Sequence, residues 1–404
     1  MPKEISERPK VYLSKVHLKG FKSIEDVTID FKRNFNVLIG KNGSGKSNLI
    51  ELLFKAINFN RSRDKISFEF AKITLLSTDN HFFSFELERF LRKNNFINND
   101  EIDDRIGVKE RFLIDDTLLI DDLNKYSVRK KIEFNGKNIA YSHNKNILIS
   151  KMGYQPIYSL IIKFNSPEKL DFINAPGSLK YDFDEIVGFL DYPESMNFFT
   201  PIILEVESYF EALEENDIDF NTIKVDDILD KFRVQGSILE NLQLYSPVED
   251  VRFSPNMNLY HNDNNLIVDN IRIEFKVNNI WMPWSQLSDG TKRLFYIIAE
   301  TTYSNGLVLI EEPELGVHPH QFNLLMDFLK TQSETKQIII STHSPKALDH
   351  LSKDELDSIL IASYDLKKGT QIRHLTTTEI KKAKKYMKEV GFFSDYWMLS
   401  DLEE

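Results

Sequence analysis

The sequence predicts an α/β fold built around a parallel core sheet, and three observations support that prediction. A short apolar strand, Phe35 to Gly40, leads directly into a glycine-rich loop and then into a helix with one apolar face. Two later apolar runs of strand length each end in polar residues that can carry chemistry. From residue 287 onwards the pattern alternates between helices and strands, as the units of a parallel sheet do.

The composition limits the classes of protein to which the chain can belong. Its 404 residues suit one large domain with an insertion, or two domains. It contains no cysteine, which excludes disulfides and thiolate metal sites. It has neither a signal peptide nor an apolar run of about 18 residues, so we expect a cytoplasmic protein without a membrane partner. A net charge of −11 argues against general nucleic-acid binding, although a local basic patch could still bind DNA.

The glycine-rich loop matches the phosphate-binding pattern G-x-x-x-x-G-K-[ST] at every fixed position. Its residues are Gly40, Lys41, Asn42, Gly43, Ser44, Gly45, Lys46 and Ser47. Glycines let the backbone wrap a phosphate, so that the loop's N–H groups and the helix N-terminus face the anion. We expect Lys46 to reach the β- and γ-phosphates of a nucleotide and the Ser47 hydroxyl to bind Mg²⁺. The alternative is an ordinary glycine-rich turn.

The second apolar run, GLVLIEEPELGVHP from Gly306 to Pro319, places two carboxylates at the tip of a strand. A strand of this kind is buried on both faces of a parallel sheet, and ligands bind at the carboxyl ends of such strands. We expect Glu311 to hold Mg²⁺ and Glu312 to orient or deprotonate the attacking water. The alternative is an acidic turn that caps the next helix.

The third apolar run, QIIISTHSPKAL from Gln337 to Leu348, ends in Ser-Thr-His. His343 would stand next to the γ-phosphate, where it can sense or stabilise developing charge. A histidine with a purely structural role is the alternative.

A serine and a glycine stand just before the helix predicted at 291–303, in the sequence QLSDGTKR. Ser288 can simply cap that helix. The helix N-terminus can also be exposed and offer Ser288 and the Gly290 amide to a phosphate. The sequence leaves both interpretations open.

A long heterogeneous middle region separates the two parts of the predicted core. It contains alternating strands, an acidic section from Asn94 to Asp122 that could be a mobile loop or an interaction surface, and a helix near 197–216. Without sustained heptads, a long coiled-coil arm is not expected. The predicted segments are 1–60, 61–285 and 286–404. Past residue 287, the predicted helices are 291–303, 318–331, 345–351 and 377–390, and the predicted strands are 307–311, 337–341, 357–363 and 371–375.

Taken in order, these motifs resemble the ABC-type ATPase heads of the SMC/RecF/OLD branch. The resemblance covers about residues 11–58 and 285–375. The stretch KVHLKGFKSIEDVTIDF resembles the N-terminal β lobe of that branch, in which the FKS turn lies near the adenine. This resemblance implies nucleotide contacts at Lys22 and Ser23.

Other motifs resemble parts of the same site. LSDGTKR resembles the ABC signature, which implies that Ser288 and Gly290 contact the γ-phosphate bound by the opposite subunit. EEPELGVHP resembles the Walker B and D-loop of the predicted AAA family ATPases found in anti-phage operons, and His343 matches the switch histidine. The chain departs from many relatives at Glu311 and His318, where they carry aspartate, and Gln155 is the candidate for the Q-loop glutamine.

The resemblance implies an ABC/RecF-like ATPase head with a large mixed insertion, which hydrolyses ATP to ADP and phosphate with Mg²⁺. It also implies at least a dimer joined through ATP. About 60 residues follow His343, which leaves no room for a Toprim nuclease domain. A separate partner, a nuclease or toxin controlled in anti-phage defence, is therefore expected to supply the effector chemistry.

Two other functions remain open. One is a DNA-repair ATPase that binds DNA directly, as RecF does. The other is a slow-turnover, ATP-loaded scaffold that sequesters an effector. The basic run from Glu379 to Phe393 could bind DNA or the partner, or it could be a solvated helix face.

Overall fold

The structure is a computed structural model, and the described residues are 8–60, 64–92, 105–121, 131–140, 142, 144–163, 177–182, 200–216, 222–262, 265–400 and 402. They divide into two compact units. The first unit comprises Met1–Ile162, Asn305–Glu312 and Ser333–Glu404, and the second comprises Lys163–Ser304 and Pro313–Gln332. Residues 94–104 and 122 of the predicted acidic section lie outside the described residues.

The elements follow in chain order. The strands are β1 (Val11–Phe21), β2 (Ile24–Asp30), β3 (Phe35–Ile39), β4 (Phe70–Ser77), β5 (Phe82–Arg92), β6 (Arg105–Ile114), β7 (Thr117–Asp121), β8 (Lys131–Phe134), β9 (Lys137–Ala140), β10 (Ser159–Ile162), β11 (Gly177–Asp182), β12 (Asp250–Phe253), β13 (Asn258–Asn262), β14 (Asn265–Ile271), β15 (Ile273–Val277), β16 (Ile280–Pro283), β17 (Leu307–Glu311), β18 (Gln337–Thr342), β19 (Ile359–Asp365) and β20 (Gly369–His374). The helices are α1 (Lys46–Asn58), α2 (Lys145–Lys151), α3 (Thr200–Glu215), α4 (Val225–Leu229), α5 (Gly236–Tyr245), α6 (Asp289–Tyr303), α7 (Pro319–Gln332), α8 (Thr377–Glu389) and α9 (Phe393–Leu399).

The first unit is organised around a 12-stranded sheet with the order β10-β17-β18-β3-β19-β20-β2-β1-β4-β5-β6-β7. Its first five strands run parallel. From β19 to β7 the neighbouring strands are antiparallel. Strands β3, β17 and β18 are buried at every position, because apolar residues cover both faces of a parallel core. The predicted N-terminal lobe corresponds to the antiparallel pair β1–β2.

Helix α1, which follows the glycine-rich loop, is held at its C-terminal end by a buried lysine. Its apolar face is formed by Leu49, Ile50, Leu52, Leu53, Ala56 and Ile57. The Lys145 ammonium of α2 donates hydrogen bonds to the carbonyls of Ala56 (3.1 Å) and Phe59 (3.3 Å). Burial lowers the pKa of Lys145 to about 8. A cation at a helix C-terminus interacts favourably with the exposed carbonyls, so Lys145 helps to fix α1.

The second unit contains two three-stranded sheets, β11-β14-β13 and β12-β15-β16. Helices α5, α6 and α7 contact one another. The core beside them is aromatic, because the Phe275 ring lies 4.8 Å from Phe295 and 5.6 Å from Trp284. This packing supports α6, the helix that carries Ser288 at its N-terminus.

Most predicted elements after residue 287 are present, with two differences. The helix predicted at 345–351 is a 3₁₀ helix, Pro345–His350, whose six residues are too few for a stable α-helix. Helix α9 was not predicted, since its seven residues are too few to show a clear helical period. None of the helices in the described ranges is long and apolar enough to cross a membrane.

Candidate nucleotide-binding site

The parallel sheet brings three of the predicted motifs to one edge. Strand β18 lies between β17 and β3, with Ser341 opposite Glu311 and Thr342 opposite Ile39. The segments that follow these three strands therefore leave the sheet on the same side, about 4.8 Å apart per strand. They contain the glycine-rich loop, Glu312 and His343. At this edge the Glu312 carboxylate lies 3.5 Å from His343 Nδ1.

The glycine-rich loop has the backbone that its glycines allow. Gly43 and Gly45 have φ angles of 82° and 93°, a region that side-chain-bearing residues rarely adopt. A Cβ atom on Gly45 would lie 1.9 Å from Thr370 Oγ1, whereas one on Gly43 would meet no other atom within 4 Å. The loop is therefore supported at Gly45 and open at Gly43, as a cradle for an anion requires.

The polar groups of the loop fit a phosphate ligand. Lys46 is 5% exposed, and its ammonium donates to the carbonyls of Gly40 (2.7 Å) and Lys41 (3.1 Å). The buried Ser44 hydroxyl has no hydrogen-bond partner among the described residues. A buried polar group without a partner is unfavourable, and an anionic oxygen in the loop would relieve this at Ser44. The Ser47 side chain is exposed at the same helix start.

The candidate metal ligands are Ser47 and Glu311. Glu311 is 4% exposed at the end of β17. Across the described ranges, no group of three or more histidines, aspartates or glutamates could hold a metal alone. Mg²⁺ does not need such a group, because it is commonly bound by one or two protein ligands together with substrate phosphates and waters. A hydroxyl and a carboxylate suit this hard cation.

Glu312 adopts a strained backbone conformation at the end of β17. Its φ angle is 47°, in the left-handed region that is unfavourable for glutamate. The strain is compensated locally, since its N–H donates to the Ser341 carbonyl at 2.7 Å. Its side chain is 30% exposed and that of His343 is 40% exposed, so solvent and a ligand can reach both. Such an outlier beside a histidine is a feature of functional sites.

The turn that contains Lys22 and Ser23 is attached to α1. Lys22 Nζ lies 2.6 Å from Glu51 Oε2, and Lys55 pairs with the other oxygen of Glu51 at 2.8 Å. Partial burial would raise the pKa of Glu51, but the hydrogen bonds from both lysines outweigh it and lower that pKa to about 2. Glu51 therefore stays ionised and keeps Lys22 beside the first turns of α1.

Two residues that the sequence did not single out complete this attachment. Asn48 Nδ2 donates to Ser23 Oγ at 2.7 Å, and Ser23 Oγ also lies 2.7 Å from Thr370 Oγ1. Thr370 is fully buried, and its N–H donates to the Ser23 carbonyl at 2.7 Å. Asn48 could have been suspected because it follows the glycine-rich loop directly. Thr370 carries no local signal.

Replacing Thr370 with valine is expected to weaken both the fold and nucleotide binding. The change keeps the volume but removes the hydroxyl, so stability should fall by about 1–2 kcal/mol. Because Thr370 supports Gly45 and Ser23, ATP affinity should fall about threefold to tenfold. Urea unfolding and nucleotide titration measure the two effects. Thr28→Val on the exposed face of β2 serves as the control, and equal behaviour of the two variants would contradict the assignment.

In the predicted signature segment, Ser288 forms the N-terminal cap of helix α6. Ser288 Oγ accepts a hydrogen bond from the Thr291 N–H at 3.2 Å, and the Ser288 residue remains exposed. Gly290 is buried, and a Cβ atom there would lie 2.7 Å from the Gly316 carbonyl. The helix start thus approaches the segment after the second apolar run too closely for any other residue. An exposed cap remains compatible with a ligand from a neighbouring molecule.

One candidate from the sequence is wrong. Gln155 precedes β10 and donates its N–H to the Pro9 carbonyl at 2.9 Å, at the amino edge of the parallel strands. The five residues of β3, about 16 Å in length, separate that edge from the glycine-rich loop. Gln155 therefore cannot be the Q-loop glutamine. His318, the other departure, accepts from the His320 N–H at 3.3 Å beside the start of α7.

Comparison with protein families identifies the group to which the chain belongs. A family model described as "AAA domain, putative AbiEii toxin, Type IV TA system" matches residues 35–349. The chain belongs to this AAA domain family. The match runs from β3 to the segment after His343 and so includes every motif at the carboxyl edge of the sheet. The AAA domain has an ATPase-type fold. Domains with this fold bind nucleotides, generally together with Mg²⁺.

Several individual proteins are similar in sequence to this AAA family member. "Retron Ec83 probable ATPase" of Escherichia coli is 23% identical over 394 residues, covering 82% of this chain and 68% of that protein. "Retron Vc95 probable ATPase" of Vibrio cholerae serotype O1 biovar El Tor is 21% identical over 418 residues, covering 90% and 76%. "DNA replication and repair protein RecF" of Ligilactobacillus salivarius is 50% identical, but over only 44 residues, or 11% and 12% of the two chains.

Among solved structures, an SMC head bound to the C-winged helix domain of ScpA is similar over 92% of this chain and 99% of that chain, with 14% identity and a TM-score of 0.49. The family match and the order of motifs along the sheet confirm the predicted α/β fold of an ATPase domain. Both retron relatives are named as probable ATPases.

Proposed function

We propose that the protein binds and hydrolyses ATP as a switch. ATP-bound copies pair through their nucleotide sites and control a separate effector, a nuclease or toxin, in anti-phage defence. The observation that carries the proposal is the convergence of the glycine-rich loop, Glu311, Glu312 and His343 at one edge of the sheet. This is the set of groups that phosphoryl transfer to water requires.

Each residue has a role in this scheme. The loop amides and Lys46 bind the phosphates, while Ser47 and Glu311 hold Mg²⁺. When bound, Mg²⁺ neutralises phosphate charge. Glu312 orients the attacking water and accepts its proton. His343 lies 3.5 Å from Glu312 and stabilises the charge that develops at the γ-phosphate.

The switch depends on a second copy of the chain. In this proposal the N-terminus of α6 offers the exposed Ser288 and the backbone amide of Gly290 to the γ-phosphate held by the partner copy. Charge-assisted hydrogen bonds are worth about 1.5–3 kcal/mol each, so losing two or three with the γ-phosphate reaches about 5.5 kcal/mol. That free energy is enough to move a population from about 99:1 to 1:99. In this proposal the middle region, 61–285, transmits the change to the effector.

Two comparisons support an effector-linked role. The family description names a "putative AbiEii toxin, Type IV TA system", and two relatives that match over 82% and 90% of this chain are named as retron "probable ATPase". A RecF-like role in DNA repair has a narrower basis, since the RecF match covers only 11% of the chain. The basic run from Glu379 to Phe393, most of which lies in α8, is the feature that favours this second function. Salt-dependent DNA binding in the presence of ATP would support that second function.

Light-scattering mass with and without a non-hydrolysable ATP analogue tests the proposal. The analogue with Mg²⁺ should raise the mass to at least twice that of the monomer. Ser288→Arg should prevent this without lowering ATP affinity, because it blocks the surface offered to the partner copy, and the α6 cap that it also removes is not part of the glycine-rich loop. Ser237→Arg, on the exposed N-terminus of α5, is the control. A chain that stays monomeric in every nucleotide state would overturn the switch.

The rate of repeated ATP hydrolysis distinguishes the proposed switch from the alternative, a slow-turnover scaffold. A switch should release ADP and hydrolyse ATP repeatedly, so the assembly dissociates as ATP is consumed. A scaffold would keep its nucleotide and its effector over many hours.

A further inference from the structure

A buried serine lies on the strand between the acidic strand end and the strand that leads into the glycine-rich loop. Ser341 of β18 is 1% exposed, and it stands opposite Glu311 of β17 on one side and Leu38 of β3 on the other. Its side-chain hydroxyl has no hydrogen-bond partner among the described residues. A buried hydroxyl without a partner is unfavourable, and such groups often mark a functional role. None of the roles proposed above for the site involves this hydroxyl.

The alternation of side chains along β17 and β18 shows which side of the sheet Ser341 faces. Side chains two positions apart on a strand lie on the same side of the sheet. Leu309 and Ile339 belong to the hydrophobic cluster that includes the apolar face of α1. Glu311 follows Leu309 by two positions, and Ser341 follows Ile339 by two. Both side chains therefore lie on the side that α1 covers, the helix that follows the glycine-rich loop.

Glu311 and Ser341 are neighbours on this buried side of the sheet. Paired strands are about 4.8 Å apart, so a serine hydroxyl can reach a glutamate carboxylate at the opposite position once that carboxylate turns towards it. The hydroxyl can donate one hydrogen bond, and an ionised carboxylate accepts several. Proteins commonly orient a metal-binding carboxylate through a hydrogen bond of this kind from a neighbouring group.

We propose that Ser341 is a positioning residue for the metal site, whose hydroxyl donates a hydrogen bond to the Glu311 carboxylate and holds it in the orientation that binds Mg²⁺. This role rests on the proposed function, in which Ser47 and Glu311 hold the ion beside the phosphates. It explains why the hydroxyl is buried without a partner, because Glu311 becomes that partner when it turns to the metal. Ser341 contacts neither the nucleotide nor the attacking water, so it acts only through Glu311.

Replacing Ser341 with alanine tests this role, with the affinity of a fluorescent ATP analogue measured across Mg²⁺ concentrations and in EDTA. We expect the Mg²⁺ concentration for half-maximal tightening to rise about tenfold to 100-fold, the range typical of losing a hydrogen bond to a metal ligand. The affinity in EDTA should change by less than about threefold, because Ser341 does not contact the nucleotide. Without metal the variant should resist urea at least as well as the unaltered chain, since the lost hydroxyl has no partner.

Ser159→Ala is the matched control for Ser341→Ala. Ser159 is also a buried strand serine whose hydroxyl lacks a hydrogen-bond partner in the described part of the chain. It pairs with Leu307 at the opposite end of β17 from the metal site. Its replacement should leave the Mg²⁺ dependence unchanged. An equal shift in both variants, or no shift after Ser341→Ala, would overturn the role of Ser341.

A Glu311→Gln background shows whether Ser341 acts through Glu311. The neutral amide is a weaker ligand for Mg²⁺, so removing the Ser341 hydroxyl as well should shift the Mg²⁺ dependence by less than about twofold. A further tenfold shift would contradict a role that acts through Glu311. If the unaltered chain binds the analogue equally with and without Mg²⁺, the proposed function fails and this role fails with it. A normal response to Mg²⁺ that Ser341→Ala leaves intact overturns only the role of Ser341.

Discussion

Glu312→Gln is expected to lower kcat for ATP hydrolysis by about 100-fold to 10,000-fold while ATP still binds, the range typical of losing a general base. Glutamine has the same shape and can retain the backbone bond to the Ser341 carbonyl. It cannot accept a proton from water. Because binding is preserved and cleavage is slow, the ATP-bound assembly should accumulate.

Single-turnover hydrolysis and a nucleotide titration measure the two consequences of Glu312→Gln separately. Glu25→Gln, an exposed carboxylate on β2 of the same unit, is the control and should hydrolyse ATP normally. If Glu312→Gln hydrolyses ATP at the normal rate, the base is another group. If it loses ATP binding as well, the strained turn at Glu312 has a structural role instead.

Lys46→Ala is expected to weaken ATP binding by at least 100-fold. The ammonium should form charge-assisted hydrogen bonds with two phosphates, each worth about 1.5–3 kcal/mol, and alanine removes both. The variant also loses the bonds to the carbonyls of Gly40 and Lys41, which loosens the loop. Titration with a fluorescent ATP analogue in the presence of Mg²⁺ gives the affinity.

Lys41→Ala is a matched control for this variant. Lys41 occupies a variable position of the same loop, and its side chain is exposed. Its removal should change the affinity by less than threefold. Thermal unfolding of both variants shows whether the fold is retained. If Lys46→Ala and the unaltered chain bind the ATP analogue with similar affinity, the glycine-rich loop does not bind the triphosphate.

The motifs at the carboxyl edge could be predicted because each depends on a short continuous segment. The loop from Gly40 to Ser47 has its glycines and its lysine at the spacing that its backbone requires. Glu311 and His343 could be predicted because apolar runs of strand length precede them. The prediction that Gln155 is the Q-loop glutamine was wrong, because the local sequence pattern does not indicate at which edge of the sheet a residue lies.

Short-range physics therefore accounts for the candidate site: the glycine-rich loop, the acidic strand end and the histidine can each be predicted from neighbouring residues. Long-range packing is needed for the rest. Thr370 supports a loop more than 300 positions earlier, and the Glu312 N–H in its left-handed turn donates to the Ser341 carbonyl. These contacts arise from strand order and register, which bring together residues that no local periodicity connects.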